Sequence, residues 1–159
     1  MSKMKISAGI LMYRIKGGSP EVLLVHPGGP FYAKKDDGVW SIPKGEADSG
    51  KDGEQLLDVA KREFAEETSF KIQGHFTFLG TVERKSYKIV HTWALEGDCD
   101  PAQIKSNIIF IDWPPRTGKK MKIPEVDRGA FFALEEAKKK ISPYQVGTIE
   151  AFEKLILKS

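Results

Sequence analysis

Apolar residues come in short continuous runs along the opening stretch of the chain and in a spaced stripe soon after it. Ile6–Ile15 is rich in aliphatic side chains, Lys16-Gly17-Gly18-Ser19-Pro20 interrupts it, and Glu21–His26 (EVLLVH) is a second run. Runs of this length bounded by turn residues predict strands, and the glycine cluster predicts that the two pair. Pro27–Gly38 follows as a long loop carrying Phe31, Tyr32, Lys34, Lys35, Asp36 and Asp37. Loops of that length inside a compact domain are often functional.

The period then changes. Glu54–Thr68 has neither Pro nor Gly and places Leu57, Ala60 and Phe64 at i, i+3 and i+7, the stripe of an amphipathic helix. Lys71–Arg84, Tyr87–Glu96 and Ile108–Trp113 predict strands, with Pro114–Gly118 a turn. Ala130–Leu134 reads as a short strand feeding a helical turn or two at Glu135–Lys140. Ser142 as N-cap, Pro143 at the first helical position and Gln145 three after the cap predict a final helix to about Leu157. No repeat, low-complexity tract or linker interrupts the pattern. Strands mixed with two substantial helices predict a sheet covered by helices, in one domain over residues 1–159.

Composition narrows the functional classes only a little. At 159 residues and 17.8 kDa the chain has room for one full core. Lys plus Arg is 25 against 22 for Asp plus Glu, so the charges nearly cancel and bulk nucleic-acid binding is not indicated. A single cysteine, Cys99, allows no intramolecular disulfide and argues against a thiolate zinc site. The short N-terminal run is closed by Arg14 and Lys16 where a signal-peptide cleavage site should lie, and no segment approaches the roughly 18 apolar residues of a membrane span. A soluble cytoplasmic protein is expected.

The candidate chemistry lies in Glu54–Phe70. Glu63, Glu66 and Glu67 stand at i, i+3 and i+4 and share one helical face. Like charges at that spacing repel by roughly 0.2–0.5 kcal/mol per pair, and the helix C-terminus disfavours acids further. A solvated acidic face, with Arg62 paired to Glu66 or Asp58, is the plainer reading. The alternative is a hard-oxygen site for Mg²⁺ or Mn²⁺, and the Pro43-Lys44-Gly45 loop ahead of the helix favours it by offering backbone groups to phosphate or metal.

This segment resembles the Nudix box of Nudix hydrolases, G-x5-E-x7-R-E-U-x-E-E-x-G-U, where U is bulky and apolar. Gly45 fits the opening glycine, Glu54 the first glutamate, Arg62-Glu63-Phe64-Ala65-Glu66-Glu67 the central run and Phe70 the close. Eight residues rather than five separate Gly45 from Glu54, and Ser69 replaces the glycine that ends the helix. The resemblance implies an α/β/α sandwich around a mixed sheet. It also implies hydrolysis of a nucleoside diphosphate linked to another group. In that family pattern Glu63, Glu66 and Glu67 hold the divalent ions, with the carbonyl of Lys44 or Gly45 completing the shell. Arg62 orients the catalytic Glu63, and Glu54 braces the helix through Arg62. The later stretch Glu125–Ala137 resembles the closing part of Nudix domains, making Glu125 a further ligand or base and Asp127 the alternate.

The flanks bear on substrate. Trp40-Ser41-Ile42-Pro43-Lys44-Gly45 resembles the W-x-x-P-K-G lead-in of diadenosine-tetraphosphate hydrolases, and Tyr87 lies 17 residues after Phe70, a spacing those enzymes often share. Lys44 is then expected on the polyphosphate and Tyr87 stacked on a base. Arg84, Lys85, Lys88, Arg116, Lys119 and Lys120 are further basic candidates to meet the polyphosphate, but loop lysines are more often solvated and only Lys44 is assigned there. The expected partner is a small nucleotide, with no membrane and no stable nucleic-acid partner, for a chain acting as monomer or homodimer. A triphosphate, nucleotide-sugar or ADP-ribose hydrolase is the nearer rival. RNA 5′-pyrophosphate removal and a catalytically silent binding module stand further off.

Overall fold

The computed structural model describes residues 4–47, 55–85 and 87–158. Strand β1 (Lys5–Lys16) turns through Gly17 and Gly18 into β2 (Ser19–Pro27), with Lys16 paired to Ser19. Both glycines have positive φ, 59° and 82°, which a two-residue hairpin turn of this hand requires. The pairing of β1 with β2 extends only from Lys16↔Ser19 to Tyr13↔Val22. Beyond that the two strands diverge, and residues 40–46 fill the wedge. Ser41 exchanges backbone hydrogen bonds with Val25 on one side (2.8 and 3.0 Å), and β3 (Lys44–Glu46) pairs with Ser7–Gly9 of β1 on the other.

After helix α1 (Leu56–Thr68), β4 (Phe76–Arg84) and β5 (Lys88–Glu96) form an antiparallel pair, and β5 runs parallel to β1 along its length. Strands β6 (Ile108–Asp112) and β7 (Lys120–Pro124) make a separate hairpin. Strand β8 (Val126–Ala133) returns to the main sheet beside β2, giving the order β4-β5-β1-β2-β8 with β3 on β1. Helices α2 (Leu134–Lys140) and α3 (Val146–Leu157) close the chain.

Alternation along the strands sorts the core into two layers. Ala8, Ile10, Met12 and Leu23 meet Val59, Ala60 and Phe64 of α1. Leu11, Val22, Leu24, Val90 and Ala94 meet Ala137, Ile149 and Phe152 of α2 and α3 on the other face. The expected α/β/α sandwich around a mixed sheet is therefore the observed architecture.

Four local expectations are corrected. Residues 71–75 are not strand, so β4 begins at Phe76. Strand β8 starts at Val126, four residues earlier than expected from Ala130, and β7 was not foreseen. Ser142 makes no side-chain cap bond: Pro143–Gln145 is a 3-10 turn, and α3 starts at Val146. The side chain of Gln145 is instead buried against Ser41, as described below. Among the described residues no helix is long and apolar enough to cross a membrane.

Candidate active site

Helix α1 buries acids where an ordinary amphipathic helix would bury aliphatic groups. Glu63 is 8% exposed and Glu67 5%, stacked one turn apart beside Ala60 and Phe64, while the side chain of Glu66 is 42% exposed at the rim. Arg62 reaches the buried Glu63 and the exposed Glu66 together, with Nη1 3.0 Å from Glu63 Oε1 and 3.6 Å from Glu66 Oε1. The expected contact between Arg62 and Glu63 is thus present. Glu54, its expected brace, lies outside the described residues.

Gly45 sits directly against the Glu63 carboxyl, and a Cβ there would overlap it. Only glycine lets β3 approach the helix this closely. The backbone N–H of the preceding residue, Lys44, donates to the Glu67 carboxyl. Glu125 stands across from Glu67, and its position is fixed through Asn107. Asn107 N–H donates to the Glu66 carbonyl (2.8 Å), and its own carbonyl accepts from Glu125 N–H (3.0 Å). One residue therefore satisfies a terminal carbonyl of α1 and ties Glu125 to it. The helix ends at Ser69 in the left-handed region, φ 72°. A side chain there costs about 1–2 kcal/mol, which the Ser69 hydroxyl offsets by donating to the Lys105 carbonyl.

The electrostatics follow from this crowding. Burial pushes the Glu63 carboxyl up to about 7, with Glu66 and Glu125 adding to the rise and Arg62 opposing it. Burial likewise raises Glu67 well above the ordinary carboxylate range, helped by Glu125 and Glu63 and opposed by Lys44. Among the described residues, no three His, Cys, Asp or Glu side chains are already gathered to chelate one ion. Glu63 and Glu66 share the Arg62 guanidinium, whereas Glu67 is turned to Lys44 N–H. A divalent cation nevertheless fits the donor chemistry. These are hard oxygens whose mutual repulsion and burial resist ionisation, and a dication relieves both.

Two joined clefts open here. One, of about 200 Å³, is lined by Glu67, Glu125, Lys44, Ser41 and Ile42. The other, about 240 Å³, shares Pro27, Val39, Ser41 and Lys44 with it and runs on to Tyr32, Arg84, Ser142, Tyr144 and Gln145. Gln145 shapes the junction. Its Nε2 donates to Ser41 Oγ and Tyr144 Oη, both at 3.0 Å, and its Oε1 accepts from Ile42 N–H at 3.2 Å. Arg84 lies over the Tyr144 ring, 5.5 Å from its centroid. Tyr87 does not line either cleft; it is 40% exposed at the β4–β5 turn, where its carbonyl accepts from Lys5 N–H. Asp127 is turned away to the buried ring of His26, 2.9 Å off, which leaves Glu125 as the acid of that segment facing the cleft.

Sequence reasoning missed Asn107, Tyr144 and Gln145, and named Arg84 only among several basic candidates for the polyphosphate. Gln145 had a signal, Gln three after Ser, but that spacing pointed to a helix cap. Nothing in the local pattern marks Asn107 or Tyr144.

The NUDIX domain family matches residues 3–152. A search of curated proteins by sequence gives no match. Among solved structures the chain is similar to the NUDIX domain of Shewanella oneidensis NrtR complexed with ADP ribose, at TM-score 0.67 and 16% identity, covering 98% of this chain and 90% of that one. It is similar to a C. elegans Ap4A hydrolase at TM-score 0.64 and 22% identity, covering 98% and 100%. It is also similar to the MutT protein of Methanosarcina mazei Go1, at TM-score 0.62 and 19% identity, covering 98% and 96%. The TM-scores establish a shared fold, and at these identities they establish the fold alone. The family match across nearly the whole chain means that the chain belongs to the Nudix family of pyrophosphohydrolases.

Proposed function

We propose that residues 1–159 act as one domain that hydrolyses a dinucleoside polyphosphate such as diadenosine tetraphosphate, releasing ATP and AMP in the cytoplasm. The observation that carries this reading is the meeting of Glu67, Glu125 and Lys44, from three distant segments, in one cleft that continues to Arg84 and Tyr144. Glu63, Glu66, Glu67, Glu125 and the Gly45 carbonyl would hold Mg²⁺, with Mn²⁺ as an alternative. When bound, the ion neutralises the diphosphate and makes a coordinated water more acidic.

The chain's own residues supply the rest. Glu63, held by Arg62 and pressed against Gly45, accepts the proton of the water that attacks phosphorus. Lys44 lines both clefts, so its ammonium meets the polyphosphate where they join. Arg84 takes phosphates further along, and Tyr144 beside it offers a ring face to a base. Tyr87, on the same hairpin as Arg84, adds a second ring at the exposed end.

Purified protein with Mg²⁺ is to be assayed against diadenosine tetraphosphate, nucleoside triphosphates, ADP-ribose and triphosphorylated RNA, with products separated. The highest kcat/KM is expected for diadenosine tetraphosphate, abolished by chelation. A higher value for ADP-ribose would favour the nucleotide-sugar reading that the likeness to the ADP-ribose-bound NUDIX domain suggests. Activity unchanged by thorough chelation would end the metal-dependent reading.

A further inference from the structure

A third cavity, about 320 Å³, opens between the loop after β2 and the β6–β7 hairpin, and the reading above gives it no role. Along β6 the side chains alternate, with Ile108 and Phe110 exposed and Ile109 and Ile111 turned inward. Those inward residues, with Trp113 and Ile123, form one wall; Phe31 and Tyr32 form the other. The two loop rings stand edge to face, centroids 4.8 Å apart, and the Lys35 ammonium lies 3.7 Å from the Phe31 centroid. Phe31 is 53% exposed. An exposed ring held in place by a cation and a neighbouring ring is a surface made for contact.

The recess is continuous with the acidic cleft, because Pro27 and Glu125 line both. It meets the acidic cleft at Glu125 and touches the second cleft at Tyr32, but Arg84, Tyr144 and Lys44 do not line it. Its polar rim is acidic: Glu125 at the cleft edge and Asp112, which carries the Lys120 ammonium at 2.6 Å. No Lys or Arg lines the recess to hold a phosphate, and the rim carboxylates can accept from a ring bearing amino groups. The volume suits a single ring system, at the small end of the roughly 300–1,000 Å³ of ligand pockets.

We propose that this recess is a specificity site for the far nucleobase of the substrate, so that the enzyme reads both ends of a two-ended molecule. The proposal rests on the phosphoanhydride reading of the acidic cleft and adds to it the group that leaves on the Glu125 side. It commits to a planar aromatic ring; an aliphatic chain or a second copy of the protein are the outcomes that would replace it.

The test compares diadenosine tetraphosphate with adenosine 5′-tetraphosphate, which lacks the second base. Wild type is expected to favour the two-ended substrate in kcat/KM by roughly tenfold, the scale of one stacked base. Trp113→Ala should bring that ratio to within about twofold of one on the same scale. Phe31→Ala should do the same, and Phe31 is exposed enough that folding is not at stake. A merely structural defect lowers both substrates together and leaves the ratio standing, which would overturn the proposal. So would an unchanged ratio, a preference for a nucleoside diphosphate bearing a long alkyl chain, or self-association lost in Phe31→Ala.

Binding separates this result from failure of the underlying reading. In Glu67→Gln with Mg²⁺, diadenosine tetraphosphate should quench tryptophan fluorescence, and adding Trp113→Phe should remove that quench while binding persists. Quench retained after Trp113→Phe refutes the recess. Trp113-dependent quench in a wild type that cleaves no phosphoanhydride keeps the ring site and refutes the hydrolase substrate.

Discussion

Helices α1 and α3 are nearly equal in length, 13 and 12 residues, and lie on opposite faces of the same sheet, yet they are built differently. The buried face of α3 holds Ile149 and Phe152 with Thr148, and Lys154 in its last turn complements the helix dipole. The buried face of α1 gives two of its six buried positions to Glu63 and Glu67, and its last turn has no basic residue. Burying a carboxylate is expensive even with a partner, as Glu63 has in Arg62, and burying two beside Glu125 more so. A helix that carries this penalty while its counterpart carries none is shaped for a ligand. The difference supports the proposal that chemistry lies on α1 and stability on α3.

The largest expected effect tests the α1 half. Glu67→Gln keeps the size and the acceptor for Lys44 N–H but removes a buried charge. Turnover should fall by about 100-fold or more, since losing even an outer-shell partner of a metal ligand costs 10–100-fold. Metal-free Tm at pH 7.5 should hold or rise. An active variant with lowered metal-free Tm would mean that the acid is structural, and the contrast with α3 would collapse.

A pH scan of the metal-free protein comes next. Glu63 is pushed up to about 7 and Glu67 is raised as well, against roughly 4.3 for an unfolded glutamate. Between those values the folded state binds more protons than the unfolded state, so stability falls as pH rises. The contribution is fully present below about 4.3 and is lost by the time Glu63 ionises in the folded protein. In chelator, Tm should therefore drop by several degrees between pH 5 and pH 8. Added Mg²⁺ should restore it most at the alkaline end, because it binds the ionised carboxylates. A chelated protein equally stable at both pH values would remove the electrostatic account of α1.

The α3 half is tested by Ile149→Val. Ile149 is fully buried, and removing one methyl from such a site costs about 0.5–1.5 kcal/mol. For a chain of this size that lowers Tm by about 2–4 °C per kcal/mol. Activity per folded molecule should stay at the wild-type level. A selective loss of turnover would show that α3 is not merely a support.

These contrasts also explain what was legible before the structure. The strands β1 and β2 were readable as continuous apolar runs bounded by turn residues, and the helix α1 by its periodic apolar stripe. Glu63 and Glu67 were readable because helical spacing alone puts them one turn apart. Strand β7 (KMKIP) was not, since three of its four non-proline positions are exposed and only Ile123 is buried. Gln145 meets Ser41 across 104 residues of sequence, and Asn107 acts through its backbone. Neither kind of contact leaves a trace in local periodicity. Buried acids on a periodic helix announce themselves, whereas the groups that position them depend on the closed fold.

The smallest expected effect concerns Tyr87, and it asks where the site around α1 ends. Its spacing from Phe70 pointed to base stacking, but the ring stands 40% exposed at the β4–β5 turn, beyond the cleft that Arg84 and Tyr144 line. A base reaching past Arg84 would meet one face of Tyr87 with water still at its edge. Stacked bases are worth about 1–3 kcal/mol, and a half-exposed ring belongs at the lower end. Tyr87→Ala should therefore raise KM for diadenosine tetraphosphate by about fivefold with kcat held, because stacking remote from the cut is the same in ground and transition states. Tyr144→Ala, inside the cleft and beside Arg84, should raise it more, and Tyr87→Phe should match wild type. If Tyr87→Ala and Tyr87→Phe behave alike, the site stops at Arg84. If Tyr87→Ala exceeds Tyr144→Ala, the base lies over the hairpin turn rather than in the cleft.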